Sequence, residues 1–261
     1  MSKSDYWKYY RDFDVPCANL SVCPKCVRLM DWEYFISVAY EPLRINYDLM
    51  HKRYKIDESV KLYDYVMEVL MKQSEERGLG KEFGIVIMAQ IFSIAYRLPV
   101  EPMALKKDGV VSIVFRVGEN DEDLITKDNY EEIRERIMEQ NLIFEPIVAP
   151  NKKSQDAIDK AIARKRDMGS NIETNIESMI VLVSKSREIT EDYTYYQLQA
   201  DYEMELRLEQ SRAIPTYRAV GADIDDIQLG QVLSMHEDPY SFEKMFKKND
   251  RTKDKDSLSS T

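Results

Sequence analysis

One apolar run, Phe83 to Tyr96 (FGIVIMAQIFSIAY), constrains this chain more than any other feature. It is shorter than the roughly 20 residues that a bilayer-spanning helix needs, and Gln90 and Ser93 interrupt it. The run therefore predicts a core helix, beginning near Lys81 and ending before Pro99, which disfavours helical geometry in the residue preceding it. A helix this apolar must be covered by the rest of the chain, and 261 residues suffice for one large domain or two small ones. Only 8 glycines are present, too few for turn-rich sandwiches and barrels. Glu, Lys, Arg, Met and Leu are plentiful, and these lose little freedom in a helix. The expected fold is mainly α, with a small β-hairpin or sheet near the middle; an α+β arrangement is the alternative.

The pattern along the chain supplies the neighbours. Residues 1–30 form an aromatic, cysteine-bearing segment without clear period. From Trp32 to Asn46, Tyr34, Ile36 and Val38 alternate with Phe35, Ser37 and Ala39, which reads as a strand. Asp57 suits the N-cap of a helix to about Arg77, with Val60, Tyr63, Met67, Leu70 and Met71 on one face and Gly78 as the stop. Met103–Lys106 and Val110–Val117 flank Asp108-Gly109, a strong hairpin signal. Glu119 to Asp123 is an acidic loop; it lacks the glycine of a calcium loop, so solvation is the simpler reading.

The second half reads as a series of helices. Asp128 and Glu131 suggest a capping box, ahead of a face made by Tyr130, Ile133 and Ile137. A helix from about Ser154 aligns Ala157, Ile158, Ala161 and Ile162, closing on Arg164-Lys165-Arg166, basic residues suited to a helix C-terminus. Ile172, Ile176, Met179, Ile180 and Val183 share the next face. Thr190 is the expected cap of a long helix with a stripe of Tyr195, Leu198, Tyr202 and Leu206, ended by Pro215. Asp223 opens a last helical region, with Ile227 and Val232 among its apolar residues. These patterns divide the chain into the cysteine-bearing segment 1–30, helices with a small β element over 31–123, a helical region over 124–246, and a charged, Ser-rich tail over 247–261 whose composition predicts disorder.

Charge and motif content narrow the function classes. With 37 basic and 47 acidic residues, the formal charge is −10, a poor basis for sequence-independent nucleic-acid binding, which needs clustered cations facing phosphates. Met1 to Asp14 carries no signal-peptide pattern, and with 3 cysteines this fits a reducing, cytoplasmic setting. His51 and His236 sit in neither an H-E-x-x-H pattern nor beside a G-x-S-x-G turn. Gly78-Leu79-Gly80-Lys81 lacks the upstream glycine and the following Ser or Thr of a phosphate loop. Helix capping accounts for Asp223, Asp225 and Asp226. A non-enzymatic protein is expected.

Two constellations are candidate sites. Cys23-Pro24-Lys25-Cys26 has the spacing of a zinc knuckle, and Cys17 is the nearest third ligand. A zinc site would need His51 or another chain as the fourth; three reduced structural cysteines are the competing reading. The second is the tyrosine tract. If Tyr195, Leu198, Tyr202 and Leu206 face the core, Tyr193 and Tyr196 stand on neighbouring faces, where a protein partner could cover them. Burial at a core edge competes with that.

Three runs carry a resemblance: Asn129-Tyr130-Glu131-Glu132-Ile133, Glu139-Gln140-Asn141-Leu142-Ile143, and Tyr193-Thr194-Tyr195-Tyr196-Gln197-Leu198-Gln199-Ala200-Asp201-Tyr202. Over about residues 110–235 the chain resembles a family of proteins encoded with the tail and baseplate genes of large tailed bacteriophages of Gram-positive hosts. The resemblance implies no catalytic residue. It implies a tail or baseplate component or an assembly chaperone, with other phage proteins as partners; a homo-oligomer is compatible, and the short apolar run points to no membrane partner. The alternative is a zinc-knuckle nucleic-acid-binding or regulatory protein.

Overall fold

A computed structural model describes residues 6–107, 109–149, 151–169, 176–221 and 235; for Lys107, Val110 and residues 165–169 it describes the backbone alone. The expectations for Ile172, Asp223, Asp225, Asp226, Ile227, Val232, His236 and the tail 247–261 lie outside the described residues. The fold is mainly helical with one small antiparallel sheet. Two compact units are present, Met1–Pro146 with Thr174–His236, and Ile147–Glu173 with Glu237–Thr261. No helix among the described residues is long and apolar enough to cross a membrane.

The first unit is built around the apolar run, which forms a helix (α4, Glu82–Tyr96). Met88, Ala89, Ile91, Phe92, Ala95 and Tyr96 are buried along it. It pairs with the preceding helix (α3, Leu62–Glu76) across a turn in which Gly78 and Gly80 take φ +75° and +83°. The two helices touch backbone to backbone at Gly84, where an added Cβ would lie 2.6 Å from Met71 N and 2.8 Å from Leu70 O. Only hydrogen fits there. α4 stops at Arg97, whose left-handed φ of 54° ends the helix two residues before Pro99.

The hairpin follows directly. Strands β1 (Val100–Lys107) and β2 (Val110–Val117) pair from Val100↔Val117 to Lys107↔Val110 around Gly109 at φ +80°. A short β3 (Leu124–Ile125) pairs with the base of β2, giving the order β1-β2-β3. Phe115 of β2 packs on Phe92 of α4 with centroids 5.3 Å apart, and Phe92 meets Tyr130 at 6.3 Å. Tyr130 starts the helix α5 (Tyr130–Gln140), which turns Ile133 and Ile137 into the same core, as its spacing predicts.

Several expectations are corrected. Trp32 to Asn46 is no strand: a helix (α2) spans Leu29–Arg44. Both faces of the proposed strand are partly apolar, so alternation did not discriminate. The helical set Trp32, Phe35, Ala39 and Leu43 is what the core buries. A single π-helical turn follows at Leu49–Arg53. Asp57 accepts from Ser59 N (2.8 Å) in a local turn, and α3 begins later, after Lys61. Asp128 and Glu131 form no capping box. Asn129 occupies the N-cap, its amide holding Thr126 N and Leu124 O, while Asp128 pairs with Lys61.

The C-terminal helices show similar shifts. In the second unit, α6 (Lys152–Gly169) buries Ile158, while Ala157 is exposed and Ala161 and Ile162 are half-buried. In the first unit, α7 (Ile176–Val183) buries Met179 and Val183. The long helix α8 (Tyr195–Ala219) is capped by Thr194, not Thr190. Thr194 and Gln197 form a reciprocal capping box, so the local hydrogen-bonding pattern rather than the earlier threonine sets the start. Pro215 lies inside α8 instead of ending it; it removes one backbone donor in an exposed stretch, and the helix continues to Ala219.

Candidate functional site

The tyrosine tract and one of the three cysteines, Cys26, fall in one place. The short helix α1 (Tyr6–Tyr10) lies against α8, and residues 24–28, which lead into α2, run between the end of α5 and the start of α8. Gln140 Nε2 donates to Pro24 O (2.9 Å), and Val27 N donates to Asn141 Oδ1 (2.8 Å). Tyr195 N donates to Val27 O (3.0 Å) and Leu29 N to Tyr193 O (2.8 Å), making a two-residue ladder around an Arg28↔Thr194 bridge. Lys25 N reaches Ala95 O at the end of α4 (2.7 Å). Arg97 joins Asp12 through paired contacts of 2.6 and 3.1 Å and also donates to Cys26 O (2.6 Å). The N-terminal segment is thus clasped from three helices.

The tyrosines complete the clasp. Tyr196, 1% exposed, packs edge-on against Tyr9 with centroids 5.7 Å apart, and its hydroxyl donates to Tyr6 O. Tyr193, 9% exposed, donates to Asp201, which also accepts from Tyr10 (2.9 Å) and pairs with Arg187 (2.9 Å). Asp201 is buried, so these three donors compensate a charge that would otherwise be costly. Burial, reinforced at Tyr193 by the Asp201 hydrogen bond, holds the Tyr193 and Tyr196 phenols protonated well above the ordinary tyrosine range. The expectation that Tyr193 and Tyr196 stand on open faces for a partner is therefore corrected. The chain's own N-terminus covers them.

The zinc expectation for Cys17, Cys23 and Cys26 is corrected on geometry as well. A knuckle needs a tight turn to bring two thiolates onto adjacent tetrahedral corners. Here the chain at Cys26 is drawn out by its neighbours' hydrogen bonds to Ala95, Asn141 and Tyr195. The Cys26 thiol joins Tyr9, Val15 and Tyr196 and faces Tyr9 O, whereas Cys17 belongs to the main core and faces Glu132 O. Cys23 is half-exposed. Among the described residues no group of three or more metal-ligating side chains converges. Burial pushes the Cys17 thiol up to about 11 and raises the Cys26 thiol as well. His51 bonds Ile56 O (2.9 Å) and stacks on Tyr47, in another part of the fold.

Other polar groups that sequence reasoning passed over also hold backbone. Arg134, 1% exposed, donates to Leu43 O (2.6 Å) and to Glu145 (2.8 Å), whose second oxygen accepts from Asn46 (3.0 Å). In the acidic loop, Asp121 pairs with Arg116, while buried Asp123 accepts from Ser21 N (2.6 Å), Ser21 Oγ and Asn120 (2.8 Å). Burial raises the Asp123 pKa, but these hydrogen bonds outweigh it and bring it below the usual carboxylate value. A cleft of about 310 Å³ opens beside the π-helical turn, with Arg44, Arg53, Tyr54 and Tyr65 in its wall. Arg44 is partly committed, donating to Phe144 O and lying over the Tyr40 ring.

The hairpin carries three exposed apolar groups, Met103, Leu105 and Val111, at 40%, 41% and 62%. Comparison with family models, with curated proteins and with solved structures finds no match.

Proposed function

We propose that this chain is a non-enzymatic morphogenesis protein of a tailed bacteriophage. It would act in the host cytoplasm as a tail or baseplate component or an assembly chaperone, through contacts with other phage proteins. The observation that carries the contact reading is the hairpin. Met103, Leu105 and Val111 put apolar side chains in water on a sheet whose first strand has no strand neighbour on its outer side among the described residues. Exposed strand edges with apolar side chains are costly to leave open and suit pairing with another chain. The phage assignment rests on the resemblance of residues 129–133, 139–143 and 193–202. The last two of these runs clasp the same N-terminal segment.

Disrupting the gene in the phage and imaging the particles tests this directly. The expected result is particles with absent or defective tails or baseplates, restored by the wild-type gene. Infectious particles with normal tails from the disrupted phage would overturn the reading.

A further inference from the structure

We propose that two copies of this chain pair through β1, antiparallel about a two-fold axis at Ala104, joining their sheets into one. This names a second copy as one partner of the contact surface above and rests on that reading of the hairpin. The edge, unpaired among the described residues, can be read residue by residue. Val117 N donates to Asp123 O, on the β3 side, so Val117 and its alternates Phe115, Ile113 and Val111 turn their backbone groups away from β1. Their partners in the register, Val100, Pro102, Ala104 and Lys106, must then aim N–H and C=O at the open edge. Two observations agree. Val100 N finds Ser93 Oγ of α4 (3.0 Å) instead of a strand, and Pro102, which has no N–H, sits where no bond to β2 is lost.

Pairing about Ala104 satisfies this edge with itself. Ala104 exchanges both backbone bonds with the partner's Ala104. Each Lys106 N–H faces the partner's Pro102 carbonyl. In that register Met103 lies opposite the partner's Leu105, and position 101 lies opposite the partner's position 107, a glutamate against a lysine. Arg116 is shared between Glu101 (2.6 Å) and Asp121 (2.8 Å), so that corner keeps a negative charge for an incoming lysine.

Other pairings lose this match. A shift of the axis to residue 103 sets Leu105 against the partner's Glu101, and a shift to residue 105 sets Met103 against the partner's Lys107. Parallel pairing puts like charges side by side, which destabilises a strand pair. Proline and lysines on an edge commonly block pairing. Here the charges at 101 and 107 disfavour the two neighbouring registers.

The test uses the full chain. Sedimentation over a dilution series from high micromolar to high nanomolar should show a monomer–dimer equilibrium. Glu101→Lys and Lys107→Glu should each weaken the dimer roughly tenfold or more, and the double exchange should recover it. Circular dichroism confirms folding of each variant. As a readout independent of charge, Ala104→Cys in a Cys23→Ser background should oxidise to a covalent dimer, while Ser112→Cys should not. A monomer at every concentration overturns the proposal, as does a dimer indifferent to the single exchanges or one that the double exchange fails to restore. None of these results alters the tail phenotype of the disrupted phage, so the two readings fail separately.

Discussion

The α3–α4–hairpin half of the first unit and the clasp around residues 24–29 are held together by different physics. In the first, neighbours in sequence are neighbours in space, and contact is apolar: Phe92 on Phe115, and Gly84 against the Leu70–Met71 backbone. In the second, residues more than a hundred positions apart meet, and many of the contacts run from a polar side chain to a backbone group, as with Asn141 and Val27 or Gln140 and Pro24. Apolar packing tolerates some rearrangement at a modest cost. A buried N–H deprived of its acceptor has no such recourse. The clasp should therefore be the more brittle region.

The largest effect expected is at Tyr196. Tyr196→Ala removes the ring packed on Tyr9 and should cost about 3–5 kcal/mol in denaturant unfolding, as large aromatic truncations in cores do. A loss below about 1 kcal/mol, in the range of surface substitutions, would mean that the clasp contributes little. Gly84→Ala probes the other region. The new methyl group meets backbone atoms at 2.6–2.8 Å, so α3 and α4 must separate, at a cost of about 1–3 kcal/mol if the packing adjusts as overpacked cores do. Should Gly84→Ala prove the more damaging of the two, the ranking of the regions is reversed.

The fold was legible where apolar period decides it. The run 83–96 and the Asp-Gly turn led to α4 and the hairpin, and Ile133 and Ile137 to the buried face of α5. α2 was misread because Tyr34, Ile36 and Val38 offered a second period to a segment whose buried set is Trp32, Phe35, Ala39 and Leu43. For α8, the signature was present: Thr194 and Gln197 stand in capping-box spacing, whereas Thr190 is followed three residues later by Tyr193. The clasp left no such trace. Nothing local marks Asn141, Gln140 or Arg134 as backbone anchors, because their partners lie 91 to 116 residues away. Cys17, Cys26 and Tyr196 stand out in the sequence for their chemistry, and the structure uses them in packing.

Acid should separate the regions by a smaller margin. Asp123 ties the start of β3 to Ser21 in the N-terminal segment, and its folded pKa lies below the unfolded value. Its contribution is then present above the ordinary aspartate pKa, near 4, and is lost as pH falls through the depressed folded value. Asp123→Asn should lower stability at neutral pH and flatten its decline in acid. An unchanged acid profile in that variant would remove Asp123 from the account.

The most direct measurement is amide hydrogen exchange at Val27 and Leu29, read against the core amides of α4. If the N-terminal segment is clasped as described, both amides exchange only through global unfolding, with protection equal to that of Phe92. Asn141→Ala should then lower Val27 protection more than that of Phe92. If Val27 and Leu29 exchange quickly while α4 stays protected, the segment is a loosely attached strand and the central claim is wrong.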